Sequence, residues 1–134
     1  MKKARSVLLA VLFLAVILVG CGKYSSHYFA VGHAYSNDSG SAWMSFVEFE
    51  GTEVFRLKCK SKNQAEIVYS GKLETGSLTV YCDCGGTKEE LFSLQSGDDI
   101  QSAGGHLPED TIYIVIETSE KCRNGNLRFR VVYG

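Results

Sequence analysis

A chain of 134 residues with 14 basic and 15 acidic side chains carries a formal net charge of −1. That length supports one domain with a core of its own, and the charge balance excludes a nucleic-acid binder, which would show a basic excess. A single proline and many Tyr, Phe, Val, Ile, Thr and Gly residues describe a β-rich chain.

The chain begins with Lys2, Lys3 and Arg5, followed by an unbroken apolar run of 13 residues from Val7 to Val19. Such a run suits the about 7–15 residues of a signal-peptide core and falls short of the roughly 20 that span a bilayer. It ends in Leu18-Val19-Gly20-Cys21, where slim side chains lead to a nucleophilic thiol. These four residues resemble the lipobox of bacterial lipoproteins. In that family a diacylglycerol is attached to the cysteine, the chain is cut before it, and the new amino terminus is often acylated. The resemblance implies a signal peptide over residues 1–20, a lipidated tether over 21–26 with Cys21 as first mature residue and anchor, and a domain over 27–134. It also implies export and attachment to the outer leaflet of the cell membrane or to an outer membrane. Gly22 lacks the acidic side chain that favours inner-membrane retention in Gram-negative members. Each buried methylene contributes about 0.8 kcal/mol, so one acyl chain such as palmitate holds reversibly and two or three hold stably.

Without residues 1–20, 11 basic side chains remain against 15 acidic ones, a net charge of about −4. Four cysteines also remain: Cys59, Cys82, Cys84 and Cys122. Outside the cytoplasm they can form disulfides in three pairings or stay as buried thiols. A direct Cys82–Cys84 bridge is disfavoured in a strand, where residues two apart are about 6.6–7 Å from each other with parallel side chains. C-x-C also differs from the C-x₂₋₄-C knuckle of zinc sites.

Along the domain, His27 to Tyr35 alternates as a strand and Asn37 to Ser41 reads as a turn. Ala42–Glu50 and Glu53–Lys60 alternate on either side of Gly51-Thr52 and predict a β-hairpin. Trp43, Val47 and Phe49 share one face of the first arm, Met44 and Phe46 the other; Phe55, Leu57 and Cys59 face inward in the second arm, with Arg56, Lys58 and Lys60 outward. Ala65–Ser70 and Ser77–Cys84 read as separate strands joined through Gly71–Gly76, and Glu89–Gln95 follows a Gly-Gly-Thr turn. Ser96–Gly105 reads as a loop. Thr111–Thr118 carries Ile112, Ile114 and Ile116 on one face, Asn124-Gly125 marks a turn, and Leu127–Tyr133 closes the chain with Leu127, Phe129, Val131 and Tyr133 inward.

Seven or eight strands without a helical period predict an all-β, antiparallel β-sandwich. The segments GGHLPEDTIYIVIE and NGNLRFRVVY resemble the final strands of jelly-roll-like domains of secreted bacterial proteins, among them accessory domains of peptidases and some carbohydrate-binding modules. Asp110 stands where those have glycine. The resemblance implies a jelly-roll-like fold and leaves activity open.

Several residues are candidates for a site. Arg56, Lys58 and Lys60, with Lys62 beyond, form a basic stripe that would suit an anionic glycan or lipid headgroup if Arg128 and Arg130 lay nearby; a solvated edge that discourages strand pairing is the plainer reading. Tyr81 and Tyr113 are the outward aromatics of their strands, and exposed rings serve as sugar platforms. Asp98, Asp99, Glu109 and Asp110 offer hard oxygens for a structural Ca²⁺, but their spacing matches no known calcium loop. His27, His33 and His106 lack metal spacing, and neither G-x-S-x-G nor C-x-x-C occurs. The expectation is a non-enzymatic, membrane-anchored envelope lipoprotein that binds a surface ligand or partner, with no cofactor. A structural or assembly component of the envelope is the alternative, and a thiol-based or hydrolytic enzyme ranks behind both. Replacing Cys21 by Ala is expected to leave the chain unprocessed or free of the membrane, which fractionation followed by immunoblotting reads directly; unchanged membrane association contradicts the lipobox.

Overall fold

The computed structural model describes residues 24–60, 65–84, 86–107 and 111–133, without the side chains of 84 and 105–107. The export segment and Cys21 lie outside the described residues, as do Lys62, Glu109 and Asp110. The described residues form seven strands: β1 (His27–Val31), β2 (Ala34–Asn37), β3 (Ser41–Lys58), β4 (Ala65–Cys84), β5 (Lys88–Gln95), β6 (Asp99–Leu107) and β7 (Thr111–Tyr133). Every pairing is antiparallel, in the order β1-β3-β7-β4-β5, with β2 also on β3 and β6 also on β4. Among the described residues no helix is long and apolar enough to cross a membrane.

Three strands dominate, of 18, 20 and 23 residues. Fully extended, β3 alone would reach about 60 Å. Its two ends instead meet. Lys58 N donates to Ser39 O at 2.6 Å, and the Asn37 side chain brackets the Arg56 backbone, accepting from its N at 2.8 Å and donating to its O at 2.7 Å. The strand therefore folds back on itself. Register against β7 slips between Phe49 and Thr52, and β4 slips against β7 between Thr75 and Leu78. A glycine with positive φ lies in each bend, Gly51 at 131° and Gly76 at 114°. One hydrogen-bonded sheet thus creases across its three central strands and closes into a two-layer sandwich.

Layer one holds β2, the first half of β3, the second half of β7, the first half of β4, and β6. Layer two holds the other halves of the long strands and β5, with β1 along the crease. Side chains from the two layers meet between them: Phe55 and Phe129 have ring centroids 6.3 Å apart, and Tyr69 stacks on Phe92 at 4.8 Å. Met44, Leu57, Leu94, Ile112, Ile114, Ile116 and Leu127 are fully buried with them. Full burial of such a side chain stabilises by about 1.5–3 kcal/mol.

The all-β antiparallel sandwich is as expected from the alternation, and the inward set Phe55, Leu57, Cys59, Ile112, Ile114 and Ile116 is buried as read. The connections differ. Gly51-Thr52 bends a strand and does not reverse it, because the chain on both sides keeps pairing with β7. Gly71–Gly76 and Asn124-Gly125 run inside β4 and β7; Gly125 leaves room for the Phe46 ring, whose nearest carbon would lie 2.6 Å from a Cβ there. Residues 99–105, read as part of a loop, belong to edge strand β6, whose small and polar residues hide its alternation. Gly32, at φ 61°, divides the first expected strand into β1 and β2. Tyr133 is half exposed, its hydroxyl accepting from Lys60 N.

Replacing Gly51 by Ala tests the crease. A Cβ there would sit 2.5 Å from His27 O, at a φ that L side chains rarely adopt. We expect a loss of about 1–3 kcal/mol or more in urea unfolding, whereas Gly97→Ala, strained but in open space, is expected to cost less.

Candidate binding face

The alternation that turns Met44, Phe129 and Tyr69 into the core turns their neighbours outward on layer one. Register then sets Trp43, Arg128, Ser70 and Gln101 in one row across β3, β7, β4 and β6. Ser41, Arg130, Val68 and Ala103 form the adjacent row. These rows line an open concavity of about 320 Å³, at the small end of the range for ligand sites. The Arg128 guanidinium carbon lies 6.0 Å from the centroid of the Trp43 indole, within the range of a cation–π contact. The indole supplies a flat apolar surface, and the hydroxyl, amide and guanidinium groups beside it supply directional polar contacts. A ring with one apolar face and polar edges fits that combination.

Layer two is furnished differently. Its outer surface carries Arg56 and Lys58 on β3, Tyr113 on β7 and Tyr81 on β4. The amino-terminal segment lies across it. The Tyr24 hydroxyl donates to Asp83 Oδ2, the Tyr24 ring is 5.5 Å from that of Tyr113, and Ser26 Oγ accepts from Val54 N at 2.8 Å. Asp83 and Val115 are each only 1% exposed. Burial, together with the Asp83 carboxylate, pushes the Tyr24 hydroxyl well above its ordinary value of 10. Arg56 covers Tyr113 at 5.9 Å, and Lys88 lies 4.2 Å over Tyr81 while pairing with Glu117 at 3.0 Å. Both tyrosines thus have cationic ring contacts, as Trp43 has with Arg128; Tyr113 differs in that the Tyr24 ring also packs on it.

The two groups of basic residues are not brought together. Phe55 and Phe129 point toward each other across the core, so their strand neighbours Arg56 and Arg128 or Arg130 point to opposite outer faces. Cys122 is buried at the crease, its thiol donating to Ser77 O at 3.4 Å and pushed up to about 11 mainly by burial. Cys122 lies beside Ser77, and Cys82 and Cys84 stand further along β4, about 17 and 23 Å from Ser77 at the strand rise, too far for a bridge to Cys122. Cys59 is buried just beyond the end of β3, and Cys82 is half-buried. Asp98 closes a turn by accepting from Gln95 N at 2.7 Å, and Asp99 lies in β6. Among the described residues no group of three or more His, Cys, Asp or Glu side chains could hold a metal ion.

No protein-family model and no curated protein sequence matches the chain. Several solved structures are similar in outline. TmCBM61, solved in complex with β-1,4-galactotriose, is 8% identical with a TM-score of 0.49, covering 81% of this chain and 88% of its own. A carbohydrate-binding module of family 29 is 14% identical with a TM-score of 0.41, covering 81% and 77%. PliG of Aeromonas hydrophila, a periplasmic inhibitor of g-type lysozyme, is 12% identical with a TM-score of 0.46, covering 70% and 88%. At such identities no site residue passes from them to this chain.

Trp43, Ser70 and Gln101 are the residues of the row that the alternation did not single out. Ala42, Met44 and Phe46 carry the inward phase of β3, and that phase was the signal for an outward Trp43.

A buried pair lies elsewhere, at the mouth between β2 and the second half of β3. Among the described residues His33 Nε2 has no hydrogen-bond partner; it stands 3.9 Å from Glu53 Oε1, with the rings of Tyr28 and Tyr35 about 5 Å from the imidazole. Burial raises the Glu53 carboxyl above 4.5, partly opposed by the Ser26 hydroxyl, and lowers the His33 imidazole below 6.5. The folded state thus holds a Glu53 proton that the unfolded chain releases, and stability falls as pH rises above about 4.5 toward the folded value. The His33 contribution has the opposite sign, falling as pH drops below about 6.5. Glu53→Gln is expected to reduce the alkaline-side fall in urea midpoint measured from pH 4 to 8; an unchanged profile would show that the carboxyl is not held neutral.

Proposed function

We propose that the domain is a non-catalytic carbohydrate-binding module that seats a glycan on the outer face of layer one, and that Cys21 anchors it to the bacterial membrane by lipid. The observation that carries the proposal is the row Trp43–Arg128–Ser70–Gln101, an indole platform with polar side chains in register beside it. Among the described residues the lining of the concavity contains no carboxylate, imidazole or thiol, which supports a reading of grip without the acid–base or nucleophilic pairs that bond cleavage requires.

The path of the amino terminus supports the orientation. Tyr24 is three residues from Cys21 and docks on layer two, so a lipid at Cys21 would draw that layer toward the membrane. The layer-one face would then point outward. An envelope-assembly role is the second reading. It is favoured by apolar side chains exposed at and near the β1 edge, Phe29 at 65%, Val31 at 45% and Val47 at 51%.

Affinity electrophoresis against a panel of neutral and acidic polysaccharides tests the proposal. Trp43→Ala is expected to weaken binding at least about tenfold, as for a central aromatic anchor. Tyr113→Ala is expected to leave it unchanged, with circular dichroism confirming that both variants fold. Equal loss in the two variants would move the site to layer two, and retarded migration on none of the polymers would remove the carbohydrate reading in favour of assembly.

A further inference from the structure

The polar half of the layer-one face is its most specific feature. Among the described residues, neither Arg128 nor Arg130 has an ion-pair or side-chain hydrogen-bond partner. Both are exposed, and being two apart on β7 they stand on one face, about 6.6–7 Å apart at the backbone. Arg128 is steadied over Trp43, so less freedom is lost when it takes a ligand. In the flanking rows Glu66 stands opposite Val132 and Asp99 opposite Lys72, and Asp38 bonds through its N to Ser41 O, in the row of Arg130; among the described residues none of the three is ion-paired with either arginine. On a domain with 15 acidic against 11 basic side chains beyond residue 20, these two unpaired guanidiniums form a local positive site. A guanidinium fork matches the two oxygens of a carboxylate or sulfate and is weakly hydrated, so it loses little on pairing.

The geometry points to an anionic polysaccharide as the ligand, its sugar ring on Trp43 and successive oxyanions on Arg128 and Arg130. This rests on the carbohydrate reading of the same face. The net negative charge of the domain argues against a loose attraction for any polyanion, so binding of an acidic polymer must come from the arginine pair. The shared chemistry is a sugar-borne oxyanion, and carboxylate and sulfate are separated by the probes.

The test uses the full chain in a non-ionic detergent, titrated calorimetrically with two matched pairs: polygalacturonate against its methyl ester, and dextran sulfate against dextran. The expected result is binding of at least one acidic member, at least tenfold weaker binding of its uncharged counterpart, and loss of that preference in Arg128→Gln and Arg130→Gln. Arg128→Lys is expected to recover only part of it, because an ammonium keeps the charge without the fork. The double variant Arg56→Gln/Lys58→Gln, on the opposite face, is expected to retain it. Equal binding of charged and uncharged members overturns the anionic assignment and leaves the carbohydrate reading in place. Loss of preference in the Arg56/Lys58 variant overturns it as well, showing diffuse electrostatics. Binding of none of the four polymers, with neutral glycans bound on the polysaccharide panel, overturns the anionic assignment alone; binding of nothing on either panel overturns both.

Discussion

Continuous hydrogen bonding through three bent strands is the constraint on which this molecule depends. β3, β4 and β7 each contribute to both layers, so neither layer can separate without breaking backbone pairs at the crease. Gly51 and Gly76 make the bend at φ values that other residues seldom adopt. Where β3 has lost its neighbour at the open edge, the Asn37 amide replaces a strand, exchanging both hydrogen bonds with Arg56. An edge satisfied by a side chain presents fewer groups to another molecule's strand.

The same crease decides where function can reside. Folding one sheet onto itself turns its apolar face inward twice and leaves two outer faces that point apart. The chain covers one of these with its own amino-terminal segment, through Tyr24 on Asp83 and Tyr113. The other keeps Trp43, Arg128 and Arg130 around an open concavity. Their separation follows from topology, since residues flanking Phe55 and those flanking Phe129 must diverge once these rings meet in the core. An amino-terminal segment docked on one side and an open face on the other is an arrangement suited to display.

The sequence made the sandwich legible wherever one side of a strand was apolar. The triplet Ile112, Ile114, Ile116 and the pair Leu57 and Cys59 left no doubt about phase, and all are buried. Bends were illegible, because Gly51-Thr52 and Asn124-Gly125 carry the local chemistry of turns, with positive φ at Gly51 and Asn124, and only pairing with distant strands carries the chain through them without reversal. β6 was hidden because an edge strand made mainly of small and polar residues, with Ile100 packed on the core, has little alternation to show. For the site, Arg128 and Arg130 were visible as outward residues, but their grouping with Trp43 depends on the β3–β7 register, a long-range fact. Tyr81 and Tyr113 were visible as outward aromatics; the segment that packs on their face is remote in sequence, and nothing local announces it.

Charge sharpens the contrast between the faces. On layer two, Lys88 already has the ring of Tyr81 and the carboxylate of Glu117, while on layer one the guanidiniums of Arg128 and Arg130 have no carboxylate partner among the described residues. The most direct measurement of the central claim is a two-dimensional amide NMR titration with an oligosaccharide cut from whichever polymer binds. The account predicts shifts confined to the first half of β3, the second half of β7, the first half of β4 and β6, with the Trp43 indole N–H among the largest. Shifts centred on Tyr24, Tyr81 and Tyr113 would contradict it.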